Sequence, residues 1–338
     1  MATVVIDSGS LYTKAGFAGE SDPEVTIPLN AGDIPSPVED GVITNWENME
    51  KLWRELFRDA LKVDPTNQNV LLTDPMHNTD ANREKLARMM FENFKVPALY
   101  IARQPILVLY SNGITSGMVV DFGLDGTSIV PVIDSKLLPE TSFRLPLGGS
   151  HITKYLAKLL NTRGYSFETP AELAICEDIK QKLCYVALDV EEQMKKKVEL
   201  LESTYMLPDG KSITIGNELF RAPEALFKPS SIGINCDGIP QAIFASIMKW
   251  DTSYQKNLFS NIILTGGTAL GNAGIADRIK KEISALAPAG TNVRVKVSAY
   301  LKNDKWNGGS LLAAHPDIQH KWITKQQFEK TGLSTLHN

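Results

Sequence analysis

Two aspartates stand at the ends of short apolar runs, and each is followed two positions later by a glycine. The first run, VVIDSG, contains Asp7 and Gly9, and the second, VVDFG, contains Asp121 and Gly123. A second apolar run follows each one, which is the pattern of two strands joined by a tight turn. Taken singly this pattern is more often an ordinary hairpin, but such turns can also present backbone N–H groups to an anion. Two copies favour a pair of phosphate-binding hairpins and suggest an internal duplication.

A third small-residue turn and a nearby cation fit the same chemistry. Gly266, Gly267 and Thr268 separate an apolar run from a helical pattern, and glycine allows a backbone to approach ligand oxygens closely. Lys14 could add positive charge at the first turn, although a solvated lysine is the commoner case. A hydrated divalent cation bound with phosphate needs only one or two carboxylates, which Asp7 and Asp121 could supply through water.

Composition excludes several other classes of protein. The chain has 338 residues, of which 43% are hydrophobic and 22% charged, so its length favours two domains or one large bilobed unit. The net charge of −4 disfavours nucleic acid as a partner. No apolar run approaches the roughly 20 residues that a membrane-spanning helix needs. We therefore expect a protein of the cytoplasm or the nucleus, with neither direct nucleic acid binding nor membrane attachment.

Cysteine spacing argues against a disulfide framework or a cysteine-ligated metal. Cys176, Cys184 and Cys236 form no C-x-x-C pair and cannot all be paired with one another. They are expected to be buried thiols of a protein in a reducing compartment.

Periodic apolar residues place helices and strands around the turns. Capping signals precede two helices, at Thr44 to Glu47 and at Thr169 to Glu172. Strands are predicted at NVLLTD from Asn69, on both sides of the Pro-Asp-Gly turn in YMLPDGKSITI, and at NIILT. The loop from Pro28 to Gly41 has little capacity for regular structure. The residues predicted to form inward helical faces are Met49, Leu52, Trp53, Leu56, Phe57 and Ala60; Leu86, Met89, Met90 and Phe94 within a helix from Asn82; Ile152, Tyr155, Leu156, Leu159 and Leu160; and Ile275, Ile279, Ile283 and Leu286.

Several longer segments together resemble actin. They include the run from Asp7 to Gly19, DGVITNWENMEKLW, LLTDP, IKQKLCYVALD, LPDGKSITIGNELFRAPEALFKPS and WITKQQFEKTG, and the resemblance covers nearly the whole chain. The resemblance implies the actin/Hsp70/sugar-kinase-like α/β fold, with two duplicated lobes around a nucleotide cleft. It assigns 1–106 and about 303–338 to the first lobe and 107–302 to the second.

The same resemblance implies a site for ATP or ADP with Mg or Ca. Asp7 and Asp121 match the carboxylates around the cation and its waters, and Gln104 matches a glutamine that positions the attacking water. The residues that match nucleotide-binding positions are Gly9, Ser10, Leu11 and Lys14 in the first turn; Asp121, Gly123 and Asp125 in the second; Gly266, Gly267 and Thr268 in the adenosine turn; and Lys180, Gln181 and Lys302.

Departures from actin fall on these same positions. Ser128 stands where actin has the histidine that assists the attacking water, so half of the hydrolytic pair is absent. Leu11 replaces a glycine, and Gln181 replaces a glutamate that contacts the sugar. Asp125 either takes over the role of an aspartate lost at Leu124 or brings negative charge close to a phosphate. Phosphoryl transfer depends mainly on positioning and electrostatics, so these changes imply weak or absent hydrolysis and nucleotide that is held in a modified way or not bound.

A shortened loop limits assembly. Where actin carries a long segment with a mobile loop that inserts into the next filament subunit, this chain passes from Pro28 to Asp40 through LNAGDIPSPVE. A subunit that keeps one half of a repeated contact can occupy an end without propagating the filament. We therefore expect a structural actin-related protein in a cytoskeletal or other assembly, with actin or actin-related subunits among its partners, and capping of a filament end is one such role. A divergent filament-forming ATPase is the alternative, and a sugar-kinase-like enzyme has less support.

Overall fold

The computed structural model describes residues 2–29, 36–137, 139–268 and 273–331. The chain folds as two compact α/β units. The first consists of Met1–Thr115, Asp134–Lys136 and Lys302–Asn338, and the second of Ser116–Ile133 and Leu137–Leu301. Two lobes of sheet and helix confirm the predicted fold class.

The strands alternate with helices along both units. They are β1 (Thr3–Ser8), β2 (Tyr12–Phe17), β3 (Val25–Pro28), β4 (Val38–Glu39), β5 (Val42–Ile43), β6 (Asn69–Asp74), β7 (Ala98–Arg103), β8 (Gly117–Phe122), β9 (Thr127–Ile133), β10 (Lys136–Leu137), β11 (Phe143–Leu145), β12 (Ser203–Met206), β13 (Ser212–Ile215), β14 (Ile262–Thr265), β15 (Val295–Val297) and β16 (Ile323–Thr324).

The helices are α1 (Trp46–Glu55), α2 (Asp80–Arg88), α3 (Gln104–Ser111), α4 (Gly149–Thr162), α5 (Pro170–Leu183), α6 (Val190–Met194), α7 (Glu218–Arg221), α8 (Ile239–Met248), α9 (Thr252–Ser260), α10 (Ile275–Leu286), α11 (Asp304–Ala314) and α12 (Lys325–Thr331). Wider π-helical turns, Leu56–Ala60 and Met89–Asn93, extend α1 and α2.

In the first unit, one sheet of strand order β16-β7-β6-β1-β2-β3 has apolar clusters packed on both of its faces. Alternation along β1 explains this, because successive side chains of a strand point to opposite faces. Val4 and Ile6 pack in the cluster that holds Trp53 of α1, whereas Val5 packs with Trp306 of α11 on the other face. The indole N–H of Trp306 also donates to the carbonyl of Val5 (3.0 Å).

The second unit repeats this arrangement in a sheet of order β10-β9-β8-β14-β15. Its central strand β8 pairs antiparallel with β9 and parallel with β14, just as β1 pairs antiparallel with β2 and parallel with β6. Met118, Val120 and Phe122 of β8 belong to one large core cluster, which also contains Leu156 of α4 and Ile179 of α5. The matching order of hairpin and parallel neighbour is what an internal duplication predicts.

Most of the predicted elements are present. The strands at β6 and β14 and the β12–β13 hairpin are confirmed. So are the helix of the second half at α4 and the capping box at the start of α5, where Thr169 and Glu172 exchange hydrogen bonds. Two of the three thiols, Cys176 and Cys184, are buried as expected.

Four details of the sequence prediction were wrong. The first helix is capped by Asn45, whose side chain accepts from the N–H of Asn48 (3.0 Å), and not by Thr44. The second begins at Asp80, ahead of the predicted Asn82. Leu286 is 40% exposed because it lies in the last turn of α10, beyond the stripe that contacts the core. The loop between Pro28 and Gly41 contains β4, which pairs with β5, and its segment 30–35 lies outside the described residues.

Close packing of α3 on α11 keeps the edge of the first sheet in place. A Cβ added to Gly308 of α11 would lie 1.9 Å from the carbonyl oxygen of Leu107 in α3. The sequence-based boundary after residue 106 runs through α3, which packs against α11 inside the first unit.

We predict that Gly308→Ala lowers the free energy of unfolding by about 3 kcal/mol, because the methyl group forces the two helices apart. Chemical denaturation measures this loss. The control is Leu311→Ala on the exposed side of the same helix, which should change stability by less than about 1 kcal/mol. Equal effects of the two substitutions would contradict the close approach.

Candidate functional site

A chain of hydrogen bonds joins the expected cation carboxylate to the expected water-positioning glutamine. Asp7 ends the buried part of β1 and is 5% exposed. Its Oδ1 accepts from the hydroxyl of Thr73 (2.6 Å), and Thr73 Oγ1 accepts from Nε2 of Gln104 (3.2 Å). Asp7 lies in β1, Thr73 lies in β6, and Gln104 follows β7 directly at the start of α3. Because β1, β6 and β7 are parallel neighbours in the sheet, the three residues lie side by side. The structure therefore brings Asp7 and Gln104 together through Thr73, a residue that carried no role in the sequence analysis.

Lys14 lies beside this carboxylate. It is the cross-strand partner of Asp7 in the β1–β2 ladder, and its ammonium donates to the backbone carbonyl of Lys302. Burial lowers the pKa of Lys14, an effect that Lys302 and Lys305 reinforce and that the charge of Asp7 opposes. The predicted phosphate lysine and Lys302 are thus neighbours, with the side chain of Lys14 bound to the main chain of Lys302.

The first turn, Gly9 to Leu11, contacts the shortened loop. Ser10 Oγ accepts from the N–H of Gly41 (2.9 Å), and the carbonyl of Ser10 accepts from the hydroxyl of Ser36 (3.4 Å). The carbonyl of Leu11 accepts from the N–H of Leu29 (2.8 Å). Leu29, Ser36 and Gly41 therefore bind the expected phosphate turn from both sides of segment 30–35, which lies outside the described residues.

The second turn forms the N-terminal cap of α4. The carbonyls of Gly123 and Leu124 accept from the N–H groups of Gly149 (3.0 Å) and Ser150 (2.8 Å), which are orphan donors of the helix. Asp125 accepts from the hydroxyl of Ser150 (2.8 Å), so its charge lies where a helix N-terminus favours an anion. These contacts give Asp125 a structural role at α4.

Ser128 occupies the place in the second hairpin that Lys14 occupies in the first. It is the cross-strand partner of Asp121 in the β8–β9 ladder and of Arg144 in the β9–β11 ladder. Arg144 NH1 donates to Ser128 Oγ (2.8 Å), and burial lowers the pKa of this guanidinium. At the position that the resemblance to actin assigns to the water-assisting histidine, this chain therefore holds a hydroxyl that is already bound by an arginine.

The third turn, which begins at Gly266, contacts the second turn, which begins at Asp121. Gly266 has φ of +97°, and a Cβ there would lie 2.4 Å from the carbonyl of Phe122 and 2.7 Å from Oδ1 of Asp121, so only glycine fits. Among the residues that the structure describes, none apart from its chain neighbours lies within 4 Å of a Cβ added to Gly267. Thr268 is buried and donates to the carbonyl of Gly123 (3.0 Å). The turn continues into residues 269–272, which lie outside the described residues.

Lys180 of α5 is surrounded by acceptors of its own unit. It is 2% exposed, and its ammonium donates to the carbonyl of Gly149 (3.0 Å), to Thr153 Oγ1 (2.9 Å) and to Glu177 Oε2 (2.6 Å). A lysine ammonium has three protons to donate, so these contacts use all of them. Gln181 is exposed and donates from Nε2 to Glu177 Oε1 (2.8 Å).

The donor set of the first unit suits phosphate and a hydrated cation. It combines a buried carboxylate, a lysine and a hairpin turn, and magnesium bound with phosphate keeps most of its waters. Among the residues that the structure describes, none form a group of three or more His, Cys, Asp or Glu that could hold a metal directly. In the second unit, Lys180 could reach a ligand only after releasing its present partners.

Comparison with known families decides what the fold is. The family model for actin matches residues 29–338. This chain belongs to the actin family. The match includes the second hairpin, α5 and the third turn, and the first hairpin precedes it. Within the described part of the chain, no helix of this actin-family protein is long and apolar enough to cross a membrane.

Sequence reasoning missed the residues that connect the expected ones. Thr73 lies inside the quoted LLTDP run, and Glu177 lies three residues before Lys180 and four before Gln181, a spacing that places all three on one helix face. Arg144 and Thr153 come from elements distant in sequence from the side chains that they bind.

The pKa of Glu177 predicts a pH dependence of stability. Burial opposes its ionisation, but Lys180, Thr153 and Gln181 outweigh burial and lower the pKa of the carboxyl below 4.5. A carboxyl with a depressed folded-state pKa stabilises the protein above its unfolded pKa, and this contribution is lost as pH falls through the folded value. We expect Glu177→Gln to destabilise the protein more at about pH 7 than at about pH 4, where part of this contribution is lost.

Denaturation of both proteins at the two pH values measures the difference. A destabilisation of equal size at both would contradict the role of the ionised carboxylate.

Proposed function

We propose that this actin-family protein is a structural subunit of a multi-protein assembly, which binds Mg-ATP or Mg-ADP and hydrolyses ATP weakly or not at all. The observation that carries the proposal is the contact of Ser128 with Arg144 (2.8 Å), at the position where actin has its water-assisting histidine. A hydroxyl that accepts from an arginine is a poor base, so Ser128 is not suited to take a proton from the attacking water. Gln104 alone remains of the expected pair.

The binding half of the proposal is supported by the first unit. Asp7 and Lys14 are cross-strand partners near the turn of the β1–β2 hairpin. The resemblance to actin assigns Asp7 to the cation and Lys14 to the phosphates. Binding and hydrolysis have different requirements, because positioning the attacking water lowers the barrier for hydrolysis and contributes little to the affinity for nucleotide. Loss of the histidine is therefore compatible with retained nucleotide.

The assembly half is supported by the shortened loop and by exposed apolar side chains. Ser36 and Gly41 bind Ser10 of the first turn, and the sequence from Pro28 to Asp40 is shorter than the inserting segment that the resemblance to actin would lead one to expect there. Val198, Leu200 and Met206 in the second unit are 61%, 75% and 70% exposed, and exposed apolar side chains mark protein contacts where they form a contiguous patch. Actin or actin-related subunits are the proposed partners, capping of a filament end is the specific role that fits a one-sided contact, and the cytoskeleton is the proposed location.

Sedimentation of the purified chain in Mg-ATP and polymerising salt, combined with a phosphate-release assay, tests this function. We expect a stable monomer that releases little phosphate. Filaments that release phosphate would overturn the proposal and establish the alternative, a divergent filament-forming ATPase.

Restoring the missing group should restore hydrolysis. We predict that Ser128→His raises the rate of phosphate release by about tenfold or more, because a histidine can orient and accept a proton from the attacking water. Adding Gln104→Ala to that variant should abolish the gain, since the two groups act on one water. A gain that survives the loss of Gln104 would show that hydrolysis proceeds elsewhere.

A further inference from the structure

One carboxylate of α5 binds both side chains of that helix that the resemblance assigns to the nucleotide. Glu177 Oε2 accepts from Lys180 (2.6 Å), and Glu177 Oε1 accepts from Gln181 (2.8 Å). The hydroxyl of Thr153 also donates to Oε2 (2.5 Å). Glu177 thus occupies the polar groups that a ligand would otherwise engage.

The side chains of Lys180 and Glu177 differ in exposure, and this difference would allow an anionic ligand to take the place of Glu177. The side chain of Lys180 is 2% exposed, so its charge depends on nearby acceptors, whereas the side chain of Glu177 is 31% exposed and can turn toward water. A buried ammonium that loses its carboxylate must find another anion or pay a large desolvation cost. An anionic ligand is such a replacement.

We propose that Glu177 is an internal competitor of the nucleotide: it holds Lys180 and Gln181 in a self-satisfied state, and the ligand must displace it. This inference rests on the proposed function and specifies what limits its affinity. If only a fraction of molecules has Glu177 turned away, the apparent affinity is reduced by that fraction. Glu177 acts through Lys180 and is therefore a positioning residue.

Calorimetric titration with Mg-ATP and thermal unfolding with and without Mg-ATP test this role. The variants are Glu177→Gln, Lys180→Met and the double variant. Asp178→Asn is the matched control, because it removes the same charge from the adjacent position, where the carboxylate pairs with the exposed Lys182 (2.6 Å).

Glu177→Gln should lower Kd for Mg-ATP by about tenfold or more, because the freed ammonium no longer has a competing carboxylate. It should also lower Tm without ligand and increase the rise in Tm that Mg-ATP produces, since a ligand that binds only the folded state stabilises in proportion to its affinity. Lys180→Met in the same chain should cancel the gain in affinity, and Asp178→Asn should leave Kd unchanged.

Different failures have different meanings. If the wild-type chain binds Mg-ATP and Glu177→Gln binds no more tightly, the inference is wrong and the proposed function stands. If the double variant binds Mg-ATP more tightly than Lys180→Met alone, Glu177 does not act through Lys180 and the inference is again wrong. If none of the variants binds Mg-ATP, both the inference and the nucleotide part of the proposed function are overturned.

Discussion

Parallel pairing of each central strand is the constraint on which the other features depend. β1 is parallel to β6, and β8 is parallel to β14, so within each unit the carboxyl ends of neighbouring strands share one edge. Asp7 and Thr73 meet at the first of these edges, and Asp121 and Gly266 at the second. Residues that are widely separated in sequence become neighbours because they lie at the carboxyl ends of adjacent parallel strands. The antiparallel hairpin that begins with each central strand places its turn at the same edge.

Satisfaction of polar groups explains how these edges differ from an open binding site. Buried donors and acceptors need partners, and at the two edges the partners come from the chain itself. Lys14 donates to the carbonyl of Lys302, Lys180 to Glu177 and Arg144 to Ser128. Ser128 and Glu177 are therefore each bound by other side chains of the second unit. Such side chains can hold a ligand only by exchanging their internal hydrogen bonds for bonds to the ligand.

The sequence predicted the elements better than the contacts between them. Apolar periodicity located α4, the capping box located the start of α5, and the strand-turn-strand patterns located both hairpins, because these signals are local. The contact of Ser10 with Gly41 and that of Lys180 with Thr153 join residues 31 and 27 positions apart, and no local pattern encodes them. Asp125 was ambiguous in sequence because its effect depends on its surroundings, and only the fold shows it at the start of α4. The Glu177 contacts were the exception, since helical spacing alone brings it to Lys180 and Gln181.

The identity of the nucleotide that stays bound after a long incubation tests the central claim most directly. The protein would be loaded with Mg-ATP, freed of excess nucleotide and held for several hours, and the bound nucleotide would then be extracted and separated by chromatography. If the arginine-bound Ser128 stands in place of actin's water-assisting histidine, as the resemblance implies, the protein should still carry ATP. Stoichiometric ADP at that time would contradict the account and show that this actin-family protein hydrolyses ATP without the histidine.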